Sequence, residues 1–444
     1  MNKTVAFHTL GCKLNYSETS SISNQFKERG FGLANFEESA NVYVLNTCSV
    51  TESAERECRQ VIRRALRQNP QAFIIVTGCY AQLRPEEIAR IEGVDFVLGS
   101  SEKFKLFSLI DNFNKRDTTC VSVTPTENLI EFGLARSSES DSRTRAFLKI
   151  QDGCDYTCCF CTIPLARGSC RSLSIDQVVN EFKKLLDDGY KEIILTGVNV
   201  GDYGKNSNVD LFKLLQSLVN LDDQFRIRVS SIEPNLLSEK IIDLVAESDK
   251  LCKHFHIPLQ SGSPRILKAM QRRYTTTEYE KLIYNIKNKI PYAGIGVDVI
   301  VGFPGESEED FIHSHNFLRE LPVSYFHIFT YSERPDTKAI SLPGTVDFQE
   351  RKRRNNILRI LSDKKRNEFY SEIIGTEQEV LFENADHNGF MQGFTSNYIR
   401  VQTRFDDTIT GKLSPVRLVE ADNDICKAFL LSTKKSIDLV TAED

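Results

Sequence analysis

Four times between Thr4 and Leu109 an apolar run gives way to a small or polar turn and then to a helical period. The runs are VAFHTL, NVYVLN, FIIVTG and DFVLGS, and stretches such as TESAERECRQVIRRALRQ, with Thr51 or Ser53 placed to cap it, lie between them. Strands that alternate with helices pair in parallel, because each return to the starting edge needs a crossover, so this region predicts a helix-covered parallel sheet. A polar stretch at 116–144 reads as a linker. From Arg145 the alternation resumes in six further runs: AFLKIQ, EIILTGV, FRIRVSS, HFHIPLQ, GIGVDVIVGF and YFHIFTY. Six βα units predict a partial (β/α)6 barrel at 145–372. The end of the chain, 373–440, breaks into short alternating strands that predict a small β-barrel. The expected class is therefore α/β: a flavodoxin-like parallel-sheet domain at 1–115, the linker, the partial barrel and the terminal β-module.

No run approaches the roughly 18 apolar residues of a membrane span, and the first residues lack the apolar core of a signal peptide. Twelve cysteines without such a signal favour a reducing, cytoplasmic setting, where clustered thiols serve as metal ligands or catalysts rather than disulfides. The net charge of −5 gives no global nucleic-acid signal.

Four of the twelve cysteines fall in the stretch GCDYTCCFCT, directly after the first strand of the barrel region. Cys154, Cys158 and Cys161 have CxxxCxxC spacing, and Cys159 stands outside it. A zinc site usually takes two separated CxxC pairs, and no second CxxC occurs in the chain. Three thiolates suit a 4Fe–4S cluster with one iron free of cysteine. In barrels of this kind the chemistry sits at the carboxyl ends of the strands, where this loop lies.

Cys12, Cys48 and Cys79 are far apart in sequence, but each closes a predicted strand: HTLGC, VLNTC and IVTGC. One reading is three separate core thiols. The other is convergence, since the carboxyl ends of neighbouring parallel strands share one edge at about 4.8 Å spacing and ligands collect there. That gives a second three-cysteine site.

The cysteine loop, with Phe160 before its last cysteine, resembles that of the radical S-adenosylmethionine enzymes. The resemblance implies that S-adenosylmethionine occupies the open iron and is cleaved by an electron from the cluster to give a 5′-deoxyadenosyl radical. It further implies S-adenosylmethionine contacts at the later strand ends: Thr196, Gly197 and Asn199 in TGVNVG, Ser230 and Glu233 in SSIEP, Gln260 in PLQSGS, and the adenine-lining segment VDVIVGFPGE. A radical core preceded by a three-cysteine domain and followed by a β-module is similar to the methylthiotransferases, whose terminal TRAM domain binds RNA. That family uses two 4Fe–4S clusters and S-adenosylmethionine both as methyl donor and as radical source. It needs a reducing donor of flavodoxin or ferredoxin type, and its sulfur source is not legible here.

HTLGCKLN most resembles the branch that places a methylthio group on carbon 2 of N6-threonylcarbamoyladenosine beside the anticodon of tRNA, with Lys13 as the distinguishing residue. Other branches act on isopentenyladenosine in tRNA or on a ribosomal-protein aspartate. The chain departs from the family pattern at Leu14, at Leu165, and at Pro335–Asp336, where a glycine precedes threonine elsewhere. A reading of another class is a non-catalytic iron–sulfur protein that binds RNA. For RNA contact the sequence offers the basic stretch Gln349–Glu368, with Arg351, Arg353 and Arg354, and in the last module Phe394, Tyr398 and Arg400. Of His254 and His256, at least one is expected inside the barrel.

Overall fold

The computed structural model describes residues 3–49, 51–137, 144–384, 388–422 and 424–431. The first sheet is parallel, with strands β1 (Thr4–Thr9), β2 (Gly32–Leu33), β3 (Val42–Thr47), β4 (Phe73–Gly78), β5 (Phe96–Leu98) and β6 (Cys120–Ser122) in the order 2-1-3-4-5-6. This is the doubly wound, flavodoxin-like order, whose switch point lies between β1 and β3. The middle strands are fully buried because helices cover both faces. β6 comes from the 116–144 stretch expected to be a linker: Cys120, Val121 and Ser122 pair with Phe96, Val97 and Leu98. Three residues at a sheet edge are too few to show a period.

The second unit has six parallel strands, β7 (Arg145–Lys149), β8 (Glu192–Thr196), β9 (Arg226–Val229), β10 (His254–His256), β11 (Gly294–Val301) and β12 (Tyr325–Thr330). They run side by side in chain order, with a single parallel bridge, Ile227 to Leu251, joining the two halves. Side chains alternate along each strand. Leu148, Ile193, Ile227, Phe255, Val297 and Phe326 pack outward under the helices in one apolar core. The opposite face carries Arg145, Glu192, Arg226, Arg228, His254, His256 and Asp298. The barrel interior is thus polar on purpose-built pairs: Glu192 accepts from Arg226 Nε at 2.6 Å and from Arg228 Nε at 2.8 Å.

The last unit is a closed five-stranded barrel of β13 (Glu377–Phe382), β14 (Phe390–Thr395), β15 (Arg400–Arg404), β16 (Leu413–Asp422) and β17 (Ile425–Leu430), ordered 13-14-15-17-16. Its β14–β15 turn docks onto the partial barrel. Arg226 donates to the Phe394 carbonyl at 2.7 Å, and Arg228 donates to those of Thr395 and Ser396, each at 3.1 Å. Charged donors meeting carbonyls away from water make this a fixed junction rather than a loose tether. No helix among the described residues is long and apolar enough to cross a membrane.

Candidate active site

Three consecutive neighbours in the first sheet deliver Cys12, Cys48 and Cys79 to one edge. β1 pairs with β3 and β3 with β4, and the three cysteines follow their carboxyl ends. Two glycines allow the close approach. Gly11 has φ of +96°, and a Cβ there would lie 2.9 Å from Cys48 Sγ; Gly78 has φ of +98°, and a Cβ would meet the Thr47 carbonyl oxygen at 2.3 Å. Both positions exclude any other residue.

The second triad sits in the loop after β7. Its sulfurs are ringed by donors. Tyr156 N–H lies 3.4 Å from Cys154 Sγ, and Arg272 Nη1 donates to Cys158 Sγ at 2.9 Å. Burial pushes the Cys154 and Cys161 thiols up to about 12. A cation that binds thiolate, not protonation equilibrium, is what makes such thiols anionic. Cys159 turns away, as expected, and packs with Ile266, Met270 and Phe303. Cys170 is also buried, within 3.4 Å of Gln151 Nε2 and the Asp202 carbonyl.

One cavity of about 380 Å³ is lined by Cys12, Cys48 and Cys79 from the first domain and by Phe160, Cys161, Gly197, Asn199, Glu233 and Gln260 from the partial barrel. Its wall is completed by residues that local spacing did not single out: Arg167, Ser231, Asp298, Phe329 and Tyr331. Thr196 and Ser230, expected to touch S-adenosylmethionine, are not among the lining residues; Thr196 is buried behind the wall, and Ser231 takes the position expected of Ser230. A one-residue step along a strand end moves a side chain to the other face.

Two features of the wall suit a charged small molecule. Asn199 donates Nδ2 to Asp202 at 2.9 Å, and its Oδ1 has no protein partner. Glu233 is held by the guanidinium of Arg272, the same group that reaches Cys158. The donor set therefore fits the expected groups: three thiols per centre, N–H donors aimed at the sulfurs of the second centre, and an unpaired amide oxygen nearby.

Arg167 lines the same cavity as the cysteines. It is buried at the end of the helix Ile163–Arg167, donates Nη2 to Asn15 Oδ1 at 2.8 Å and Nη1 to Glu18 Oε1 at 2.9 Å. Lys103 and Lys149 bind the same Glu18, and Lys149 and Arg167 also reach Asp152. The first domain is thereby locked to the barrel by a buried five-residue charge cluster.

The expected RNA contacts divide. Arg351 and Arg354 are buried, and neither offers a free surface cation. Arg351 donates to the Tyr331 carbonyl at 2.9 Å and to Glu333; Arg354 donates to Glu306 and Glu350, each at 2.7 Å. Charge counting along the helix Phe348–Ser371 missed this because Glu333 and Glu306 arrive from other elements. Arg353 is exposed, though bridged to Glu308 and Glu350. Phe394 stacks on Tyr398 with centroids 4.9 Å apart, Arg145 lies over Phe394, and Arg400 donates to Gln392 Oε1 at 2.8 Å. Tyr398 turns inward toward the partial barrel, at the docking turn. His254 and His256 both face the interior, where they bond Tyr325 and Asp298 respectively.

Residues 148–318 match the family model described as the Radical SAM superfamily, and residues 4–99 match that of Uncharacterized protein family UPF0004. A partial barrel with a three-cysteine loop, opening onto a second cysteine-bearing domain, defines the class as a radical S-adenosylmethionine enzyme. More narrowly, the chain is 40% identical over 424 residues, covering 94% of both chains, to a protein of Bacillus subtilis (strain 168) named threonylcarbamoyladenosine tRNA methylthiotransferase MtaB. It is 40% identical over 398 residues to the protein of the same name from Aquifex aeolicus (strain VF5), covering 90% of this chain and 96% of that one. The chain belongs to the methylthiotransferase family of radical S-adenosylmethionine enzymes, whose cofactors are 4Fe–4S clusters and S-adenosylmethionine. Among solved structures, the radical S-adenosylmethionine methyltransferase TsrM from Kitasatospora setae shares the fold, with a TM-score of 0.54 at 16% identity over 87% of this chain and 79% of that one.

Proposed function

We propose that the protein places a methylthio group on carbon 2 of N6-threonylcarbamoyladenosine in tRNA. The observation that carries this reading is that one cavity is lined by all three cysteines of the first domain and by Cys161 of the barrel's cysteine loop, which brings the two cysteine sites to one space, as a reaction needing a radical and a sulfur at the same carbon requires. Full-length similarity to relatives named for that substrate supports the choice of base.

In this reading Cys154, Cys158 and Cys161 hold one 4Fe–4S cluster, and Cys12, Cys48 and Cys79 hold the other. When bound, these clusters would supply the electron for cleavage of S-adenosylmethionine and a vacant iron site for the sulfur to be inserted. The chain's own residues position and enclose. Arg272 steadies the charge at Cys158 and orients Glu233. Asn199 Oδ1 accepts from the amino group of S-adenosylmethionine, Phe160 and Gly197 border its path, and Gln260 meets its polar groups. Gln260 has φ of +73°, a backbone state costing of order 1–3 kcal/mol, in keeping with a side chain held at a site. The apolar lining of Leu14, Ile163 and Ile300 limits water beside the reacting groups, which protects a reactive radical.

A low-potential reductant of flavodoxin or ferredoxin type completes the reaction, and a cytoplasmic setting agrees with twelve free thiols. The deciding experiment is mass spectrometry of tRNA incubated anaerobically with reconstituted protein, S-adenosylmethionine, sulfide and reductant. The expected product is the 2-methylthio derivative of threonylcarbamoyladenosine; its absence alongside methylthiolated isopentenyladenosine would reassign the substrate.

A further inference from the structure

Inside the partial barrel the positive charges outnumber their partners, and the excess has an address. Arg226 and Arg228 are bound by Glu192 and by carbonyls of the terminal module. Arg145 pairs with Glu383 and bonds the Tyr398 hydroxyl. Lys13 has no carboxylate in ion-pair contact among the described residues; its Nζ lies 5.9 Å from the centroid of the Tyr398 ring, with Arg145 and Arg228 close enough to add to the positive potential. Its chain neighbours Cys12, Leu14 and Asn15 line the reaction cavity.

Tyr398, under that ammonium, has φ of +71°, a left-handed state that a tyrosine takes only when its surroundings dictate it. The turn is braced by Thr395 Oγ1, which donates to Asn397 Oδ1 at 2.6 Å and accepts from Ile399 N–H at 2.9 Å. Three chain segments, from all three units, thus converge around one cation whose chain neighbours line the cavity. Lys13 is exposed, so its ammonium is open to a bound anion, and a charge-assisted hydrogen bond to a carboxylate is among the stronger ones.

We propose that Lys13, seated on Tyr398 and backed by Arg145, reads the carboxylate of an amino-acid substituent on the target base and so selects it over an apolar substituent. This rests on the function proposed above, since the threonylcarbamoyl group carries that carboxylate and an isopentenyl group carries none.

The test uses the full, reconstituted protein and two tRNAs that differ only in whether the threonine carboxylate is free or converted to a carboxamide. Wild type prefers the acid in kcat/KM by roughly ten- to hundredfold, the range of a hydrogen bond to a charged group. In Lys13→Gln the acid-to-amide ratio falls to near one, chiefly through KM, and in Lys13→Arg the preference is kept. Where the glutamine variant does not turn over, the ratio of Kd values for the two tRNAs gives the same reading. A glutamine variant that keeps the wild-type ratio overturns the carboxylate site, as does a wild type that converts both tRNAs equally. A wild type that binds but converts neither overturns the reaction itself.

Discussion

Arg167 Nη1 lies 2.9 Å from Glu18 Oε1, and both side chains are buried. Arg167 ends the short helix after the barrel's cysteine loop, and Glu18 lies one to two turns into the helix that starts after Cys12. The contact ties the helix that follows Cys12 to the helix that follows the barrel's cysteine loop, and so joins two elements contributed by different domains. Glu18→Gln leaves Arg167, Lys103 and Lys149 facing a neutral group. The expected loss is about 3–5 kcal/mol of stability, as for any buried pair deprived of one charge. Denaturant unfolding of the variant checks it, and a change below about 1 kcal/mol contradicts the locking role.

Acid sensitivity follows from the same cluster. Burial raises the Glu18 carboxyl, but Arg167, Lys103 and Lys149 together outweigh it and hold the group well below its ordinary 4.5. Asp152, also raised by burial, is held down by Lys149 and Arg167. A depressed carboxylate stabilises the fold above its unfolded value, and that contribution is lost as pH falls through the window below it. Melting temperature should therefore be nearly flat from pH 8 to about 5 and decline below about 4.5, with a shallower decline in Glu18→Gln. Identical pH slopes in the two proteins would contradict the assignment.

Asp336 occupies the rim position where glycine is usual in the family, with φ of +67°, and accepts from Arg84 Nη2 at 2.6 Å. The bridge to the first domain offsets the cost of a left-handed aspartate. Asp336→Gly should change stability by less than about 1 kcal/mol, since it removes strain and a half-exposed ion pair together. Asp336→Ala keeps the strain without the partner and should cost about 1–3 kcal/mol. Thermal unfolding of the two variants side by side decides it; equal effects would mean the backbone there is not strained.

The basic helix separates in the same way. Arg354→Ala breaks a pair with Glu306 in which both side chains are buried, and should cost about 3–5 kcal/mol. Arg353→Ala, at the exposed bridge to Glu308, should cost less than about 1 kcal/mol. Equal losses in the two would show that the helix is not fixed through Arg354.

Much of this site was readable from residue order. Cys12, Cys48 and Cys79 could be brought together because each follows a strand and neighbouring parallel strands share an edge; Phe160, Gly197, Asn199, Glu233 and Gln260, expected from the family resemblance, line the cavity with them. What the order of residues could not show is which partner a charge finds. Arg351 and Arg354 read as surface cations until Glu333 and Glu306 arrive from other elements. Arg167 carries no local pattern, since Glu18 is 149 positions away. Thr196 and Ser230 stand one residue before the lining positions Gly197 and Ser231, because a strand end leaves the last side chain's face undecided. β6 escaped notice because three residues at an edge have no measurable period. Leu165, another departure from the family pattern, lies outside the cavity beside Thr126, which donates to its carbonyl at 2.6 Å.

Two separate three-cysteine centres are the account's central claim, and iron analysis reaches it directly. Protein reconstituted without oxygen should hold about eight irons per chain, and the Cys12→Ala/Cys48→Ala/Cys79→Ala variant about four, with S-adenosylmethionine cleavage retained. About four irons in the wild type, zinc in their place, or an unchanged count in the triple variant would contradict it.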